Sequence, residues 1–258
     1  MQAANIRPLA NMLPRKLFNA EHNAFRETVQ KFYQKEVVPN IEKYEAQQHV
    51  DRDLWNKAGE MGLLCTTMPE EYGGYGVDRL YSMILIEEQA YAMDSSTGFS
   101  LHSDIVANYL NNFANEEQKK YWLPKMATGE VVTAIAMTEP GTGSDLQAVR
   151  TSAVLEGDEY VINGSKIFIT NGYLCDMVIV VCKTGNSEKG SANLSLFIVE
   201  ASRAGFSKGK PLNKIGMKGQ DTCELFFDNV RIPKENLIGM EGMGFIMLMK
   251  ELAWERML

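Results

Sequence analysis

The chain has 258 residues and a formal net charge of −7, with 45% hydrophobic and 23% charged residues. This is the balance of an ordinary globular protein and excludes wholesale disorder. Because 26 Lys and Arg are outnumbered by 33 Asp and Glu, the charge also argues against broad nucleic-acid binding.

The four cysteines and three histidines show no metal-ligand or redox spacing, so neither a metal site nor a disulfide framework is expected. No apolar run approaches the roughly 20 residues that a membrane span needs. Residues 1–18 contain no sustained apolar segment of the kind found in signal peptides. These features predict a cytoplasmic protein without a membrane span.

Helical patterns dominate the chain before residue 130. Asn19 is a candidate N-cap for a helix that Pro39 interrupts. Three further helices are expected from the spacing of apolar residues, at 54–61, 79–93 and 101–113. Asn115 is a second candidate N-cap, for a helix that Pro124 limits.

From residue 131 the apolar period changes to two, which is typical of strands. Strands are expected at 131–137, 149–155, 160–162, 166–170, 177–182, 194–199 and 222–227. A turn is expected at 156–158, and the Asn163-Gly164 pair is a strong signal for another hairpin turn. Because no helical pattern separates these strands, they predict an antiparallel sandwich or barrel.

The last residues predict an amphipathic helix whose apolar stripe contains Phe245, Leu248, Met249 and Leu252. The pattern is still helical at Leu258. We therefore expect further sequence or a partner chain to cover the stripe.

Two segments suggest ligand contacts without proving them. The segment 141–146 begins like a phosphate-binding fingerprint, but Leu146 replaces the last glycine and no strand-turn-helix context surrounds it. A tight turn is the better interpretation. Phe168 and Thr170 share one face of a predicted strand, where they would suit a flat ring system or simply form a half-buried strand surface.

Five separated motifs occur in a fixed order: PEEYGGYG at 69–76, AMTEPGTGSD at 136–145, YVINGSKIFITNG at 160–172, DTCELFFDNVRIP at 221–233 and ENLIGMEGMGF at 235–245. Together they resemble the acyl-CoA dehydrogenase family, from about residue 19 to the last residue. The resemblance implies an N-terminal α-helical domain at 1–129, a middle β-barrel domain at 130–238 and the first helix of a C-terminal helical domain at 239–258. The remainder of that third domain is not represented, and family members usually assemble as homo-tetramers.

The resemblance also implies FAD as the cofactor. The implied FAD contacts are Ile135, Ala136, Met137, Thr138, Gly143, Ser144, Phe168, Ile169 and Thr170. Thr138 is expected near the polar edge of the flavin ring and Thr170 near its reactive nitrogen. Many members have tryptophan at the position of Phe168, whereas the long-chain type resembles this chain in having phenylalanine. The implied acyl-CoA contacts are Ser144, Ser191, Ile246, Ala253, Trp254 and Arg256.

The resemblance places the catalytic base at Glu255. The long-chain and isovaleryl types carry their base immediately before an arginine, and Glu255-Arg256 matches this pattern. Leu248, Leu252 and Glu255 are spaced at i, i+4 and i+7, so the acid is in line with the apolar stripe. Glu251, one turn earlier, is expected to be an ordinary charge on the helix face.

The implied activity is the oxidation of a long-chain fatty acyl-CoA to the trans-2-enoyl-CoA in fatty acid β-oxidation, with electron-transfer flavoprotein as electron acceptor. One alternative is a non-catalytic module that binds acyl-CoA or a partner. Another is the chemistry of related flavin monooxygenases or acyl-CoA oxidases. Glu255 argues against the monooxygenases, but the sequence does not separate a dehydrogenase from an oxidase.

Overall fold

The computed structural model describes residues 15–185 and 190–258, except for the side chains of residues 190 and 191. The expected absence of a targeting segment in residues 1–18 therefore falls mostly outside the described residues. Within the described ranges, no helix is long and apolar enough to cross a membrane.

The described α-helices fall into two groups, six before the β-domain and one after it: α1 Ala20–Phe32, α2 Ile41–Gln47, α3 Arg52–Glu60, α4 Leu80–Tyr91, α5 Ala107–Phe113, α6 Glu116–Ala127 and α7 Gly244–Glu255. π-helical segments Tyr33–Val37 and Leu101–Val106 follow α1 and precede α5. Both predicted N-caps are confirmed. The Asn19 side chain accepts a hydrogen bond from the His22 amide at 2.9 Å, and Asn115 accepts one from the Gln118 amide at 2.9 Å. In each case the third residue of the helix bonds back to the cap amide, which satisfies two otherwise unpaired donors.

Of the two prolines expected to limit helices, only Pro39 does so. α1 ends at Phe32, and Pro39 lies in a 3₁₀ turn, Val38–Asn40, between the π-helical turn Tyr33–Val37 and α2, so the regular α-helix is interrupted there. Pro124 lies inside α6, which continues to Ala127. The loss of one backbone hydrogen bond at Pro124 is offset by the complete burial of its neighbours Leu123 and Met126.

The β-domain has eight described strands: β1 Thr133–Ala136, β2 Ser152–Glu156, β3 Glu159–Thr170, β4 Met177–Lys183, β5 Leu194–Glu200, β6 Phe206–Lys208, β7 Thr222–Pro233 and β8 Leu237–Ile238. Their order is β6-β7-β3-β2-β4-β5-β8, with β1 paired to β4. The predicted succession of a helical domain, a β-domain and a final helix is confirmed. The sheet itself is mixed and open rather than antiparallel and closed. The pairings of β4 with β1 and β2 are parallel, because other strands intervene between these partners in the chain.

The expected hairpin turn at Asn163-Gly164 is wrong. β3 runs without interruption through this pair, and the β2–β3 hairpin turns between Glu156 and Glu159, as the sequence also predicts. Gly164 forms a bulge opposite β7, where the register shifts. Its φ is +150°, and a Cβ atom there would lie 2.5 Å from the Thr151 hydroxyl oxygen. The glycine therefore serves a close approach within the sheet and not a turn.

Three apolar cores support the fold. One lies among the N-terminal helices and contains Val29 and Trp55. A second lies on one face of the sheet. The third, which we call the junction core, packs α5, α6 and α7 against the other face and includes Tyr109, Ile135 and Leu248. The junction core holds β1 and α7 in one packed unit.

His102 joins the helices to the sheet. This fully buried side chain contacts the Met126 carbonyl through Nε2 at 3.1 Å, and its Nδ1 accepts from the Thr133 amide at 3.2 Å. Burial lowers the pKa of His102 to about 4. The imidazole is therefore neutral at physiological pH, with its proton on Nε2.

We expect acid to destabilise the protein through His102. Its imidazole binds a proton near pH 6.5 when unfolded but only near pH 4 when folded. The unfolded state therefore binds more protons between these values, and stability falls as the pH decreases from about 6.5 to about 4, by about 3 kcal/mol. Urea unfolding at several pH values should show that the free energy of unfolding of the parent, relative to that of His102→Gln, falls by about 3 kcal/mol across this range.

Two buried carboxyl groups act in the opposite direction. Burial raises the pKa of Asp104 and that of Asp221 to about 6, so each favours the folded state as the pH falls. Both groups are present in the parent and in the His102→Gln variant, so the difference between the two proteins isolates the histidine. The same pH dependence in both would contradict the assignment.

Candidate active site

A second bulge in β3 places an aromatic ring on the surface. The register with β7 shifts between Lys166 and Ile169. Phe168, inside this bulge, has a φ of 62° and a side chain that is 63% exposed. A positive φ is strained for an aromatic residue, with a cost of order 1–3 kcal/mol. Core packing does not account for an exposed ring in this conformation, so Phe168 is a candidate contact for a planar ligand.

The bulge is attached to the end of β1. The Ile167 amide donates to the Thr138 carbonyl at 3.0 Å. Asn171, which also has a positive φ, donates from Nδ2 to the Gly98 and Thr133 carbonyls at 3.0 and 3.3 Å. These bonds bring together the two sequence segments for which a flavin contact is predicted.

Three hydroxyl groups around this surface are available to a ligand. Thr138 and Thr170 are partly exposed, and Ser144 is exposed. Within the described part of the chain, none of the three side chains makes a hydrogen bond. Hydroxyl groups of this kind can donate to or accept from a polar heterocycle or a phosphate.

A buried ion pair supports the loop between β1 and β2. Lys166 is fully buried, and its Nζ lies 2.9 Å from Glu139 Oε1 and 3.1 Å from the Met137 carbonyl. Glu139 also accepts from the backbone amides of Arg150 and Thr151, at 2.8 and 2.9 Å. Burial opposes ionisation of Glu139, but Lys166 and these donors outweigh it and hold the pKa of Glu139 below its usual range. The pair fixes both ends of the loop that carries Thr138 and Ser144.

The same loop confirms the tight-turn interpretation of residues 141–146. Glu139 and Thr142 form an isolated antiparallel bridge. A 3₁₀ turn, Leu146–Ala148, follows where a dinucleotide-binding fold would begin a helix.

The other predicted flavin contacts lie in different environments. Ile135 and Ala136 are buried in β1 and pack into cores on opposite faces of the sheet, and Ile169 is also buried. Any contact by these three would depend mainly on their backbone atoms. Met137 is partly buried against the junction core, and Gly143 is exposed.

Glu255 is the last residue of α7, and its carboxylate is partly buried against α5. The fully buried Tyr109 donates a hydrogen bond from its hydroxyl to Glu255 Oε1 at 2.7 Å. Burial raises the pKa of Glu255. The Tyr109 hydrogen bond and Arg256 act in the opposite direction, whereas the charge of Glu251 raises the pKa further. A carboxylate with increased proton affinity is suited to act as a general base.

Glu251 is not the exposed helix charge that the sequence predicts. It is 6% exposed, and Asn112 donates a hydrogen bond from Nδ2 to its Oε1 at 2.8 Å. The buried positions of α7 are Gly244, Met247, Leu248 and Glu251, whereas Met249 of the predicted stripe is 43% exposed. The stripe is rotated from its expected position because α5 and β5 pack on a neighbouring face.

A surface cavity of about 410 Å³ lies beside Glu251. Its lining includes the predicted substrate contacts Ala253 and Trp254, together with Arg79. Trp254 donates from Nε1 to the Asp104 carbonyl at 3.1 Å, and the Arg79 guanidinium lies 4.1 Å from the centre of the indole ring.

The remaining predicted substrate contacts are less clustered. Ile246 and Arg256 are exposed on α7, and Ser144 lies on the loop between β1 and β2. Ser191 lies in a 3₁₀ turn, Gly190–Asn193, but its side chain is outside the described set.

The sequence did not predict the residues that bond the carboxylates of Glu255 and Glu251. Tyr109 and Asn112 are three residues apart on a predicted helix and so share a face, but the helix opposite them is not evident from sequence. Nothing in the sequence indicates that Lys166 is buried, because lysine ordinarily faces solvent.

Comparisons with known proteins agree with this architecture. The family model of the acyl-CoA dehydrogenase N-terminal domain matches residues 19–130, and the family model of the middle domain matches residues 134–230. The mitochondrial long-chain specific acyl-CoA dehydrogenase of Sus scrofa is 49% identical over 100% of this chain, which covers 60% of that protein. The mitochondrial isovaleryl-CoA dehydrogenase of Solanum tuberosum is 38% identical, over 93% of this chain and 59% of that protein.

Solved structures show the same relationship. The acyl-CoA dehydrogenase of Geobacillus kaustophilus matches with a TM-score of 0.91 and 45% identity, over 93% of this chain and 64% of that one. An acyl-CoA dehydrogenase of Bacillus anthracis complexed with FAD matches with a TM-score of 0.86 and 37% identity, over 95% of this chain and 42% of that one. The chain belongs to the acyl-CoA dehydrogenase family. It spans about 60% of the length of the curated long-chain relatives.

Proposed function

We propose that this protein is a flavin-dependent dehydrogenase that oxidises a long-chain fatty acyl-CoA to the trans-2-enoyl-CoA. The observation that carries the proposal is the partly buried carboxylate of Glu255, which accepts a hydrogen bond from Tyr109. Glu255 ends α7, a helix that packs in the junction core together with β1. The long-chain relatives at 48 and 49% identity support the substrate class. In this proposal residues 1–129, 130–238 and 239–258 form the N-terminal domain, the middle domain and the first helix of a C-terminal domain.

The surface around Phe168 fits FAD, the cofactor present in the Bacillus anthracis relative. The exposed Phe168 ring offers stacking area to an isoalloxazine, and the hydroxyls of Thr138 and Thr170 have no other described partner. Ser144, on the braced loop, is placed to bond a phosphate. Bound FAD would accept a hydride from the β-carbon of the substrate.

The residues of α7 would act on the substrate. Glu255 removes the α-proton from the thioester, and burial, which raises its pKa, makes its carboxylate a stronger base for this transfer. Trp254 and Ala253 line a cavity suited to part of the acyl-CoA, and Arg256 is exposed beside them to interact with its anionic groups.

Three further properties belong to the same proposal. Electron-transfer flavoprotein would accept the electrons, as the family resemblance implies.

Ile246 and Met249 on α7 are 47 and 43% exposed, and they would contribute to an interface in a homo-oligomer. The four cysteines are buried free thiols, which is consistent with a reducing cytoplasm.

The test is anaerobic mixing of the FAD-loaded protein with a long-chain acyl-CoA in a stopped-flow spectrometer. We expect the visible absorbance of the flavin to bleach in a single turnover. The matching trans-2-enoyl-CoA is the control, because it has no saturated α,β bond to oxidise. Equal absorbance changes with both compounds, or none with either, would refute the proposed activity.

A further inference from the structure

We propose that Tyr109 and Glu251 are positioning residues that set the orientation and proton affinity of the Glu255 carboxylate. The inference rests on the proposed function, in which Glu255 is the base. It assigns the second acid of α7 a part in the reaction without contact with the reacting atoms.

The geometry is a double clamp between two helices. Tyr109 and Asn112 lie three residues apart on α5, and Glu251 and Glu255 lie four residues apart on α7, so each pair shares a helix face. Tyr109 donates one hydrogen bond to Glu255 at 2.7 Å, and Asn112 donates one to Glu251 at 2.8 Å. These bonds limit the rotamers of both carboxylates.

The burial of Glu251 requires an explanation. A carboxylate that is 6% exposed is costly to fold unless a cation pairs with it, and within the described ranges no lysine or arginine nitrogen lies within 4.0 Å of Glu251. Asn112 provides one neutral donor only. A buried negative charge one helical turn from Glu255 makes ionisation of Glu255 less favourable, which increases its affinity for a proton.

Tyr109 has the opposite effect on Glu255. Its hydroxyl is protonated, because burial raises the pKa of this phenol far above its usual range. A donor to the ionised carboxylate stabilises the charged form. The other charges around the clamp are Arg256 on α7, and Arg79 and Lys250, which line the cavity beside Glu251. The two residues therefore act on Glu255 with opposite signs.

The experiment measures the pH dependence of flavin reduction by a long-chain acyl-CoA in Tyr109→Phe and Glu251→Gln. Because the base must be ionised, kcat/KM rises with pH through the titration of Glu255. Tyr109→Phe should move this rise to higher pH, and Glu251→Gln should move it to lower pH. On the acidic limb each shift should change kcat/KM by about threefold to tenfold, downward for the first variant and upward for the second.

A second readout needs neither FAD nor substrate. Infrared difference spectroscopy during a pH titration of the protein should show a protonated carboxyl band that is absent from Glu255→Gln. That band should appear at higher pH in Tyr109→Phe and at lower pH in Glu251→Gln. Tyr121→Phe and Glu117→Gln are matched controls at exposed positions and should leave both profiles unchanged.

The outcomes separate this inference from the proposed function. If both variants lose activity equally at every pH and the band does not move, the clamp is only structural and the inference is wrong. If Glu251→Gln abolishes reduction at every pH while Glu255→Gln does not, Glu251 is the base and the assignment is reversed. If Glu251→Gln does not fold, Tyr109→Phe alone decides, with Glu251→Asp expected to retain the parental profile.

Discussion

The Glu255→Gln variant is expected to slow flavin reduction by a long-chain acyl-CoA by roughly 10²–10⁴-fold, the usual contribution of a positioned general base. Glutamine has the size of glutamate and can still accept the hydrogen bond from Tyr109, but it cannot take the α-proton. FAD and substrate should therefore bind nearly as in the parent protein. Anaerobic stopped-flow bleaching measures the rate, and equilibrium titration measures binding.

The choice of control for this experiment depends on the structure. Glu251 is unsuitable as a neutral control because it is buried and bonded to Asn112. Glu117, which is exposed on α6, provides the matched Glu→Gln change and should leave the rate within a few-fold. Parental rates in Glu255→Gln would show that the base lies elsewhere, and the long-chain assignment based on Glu255 would fail with it.

The second large effect is expected at the buried ion pair. Lys166→Met removes the cation from a site where Glu139 remains buried, and losing one partner of such a pair typically costs about 3–5 kcal/mol. The free energy of unfolding from urea denaturation should fall by that amount. FAD affinity should fall as well, because the loop carrying Thr138 and Ser144 loses its support.

The double variant Lys166→Met/Glu139→Gln tests the electrostatic cause. Removing both charges should restore much of the lost stability, since the cost in the single variant comes from the uncompensated carboxylate. The double variant would not restore FAD affinity if the loop needs the charged acceptor to which the Arg150 and Thr151 amides donate their hydrogen bonds. A loss below about 1 kcal/mol in Lys166→Met would contradict the role assigned to the pair.

Local signals in the sequence predicted local structure correctly. The N-caps at Asn19 and Asn115 depend on bonds between residues three apart, so the residues that decide them are adjacent in the chain. The strand periods located β2, β4 and β5 to within two or three residues at their ends. The Asn163-Gly164 prediction failed because the pairing of β3 with β7, more than 50 residues away, overrides the local turn preference.

The candidate site divides in the same way. Phe168, Thr170 and Glu255 could be selected from sequence because they lie in motifs with fixed internal spacing. Their surroundings could not be selected, because they depend on which helices and strands pack together. The bulge that exposes Phe168 arises from the register with β7, and the burial of Glu251 arises from the crossing of α5 and α7. The family, the order of the domains and the identity of the acids can therefore be predicted from the sequence. The environment that tunes those acids exists only after long-range packing of α5 on α7 has buried Glu251 and partly buried Glu255.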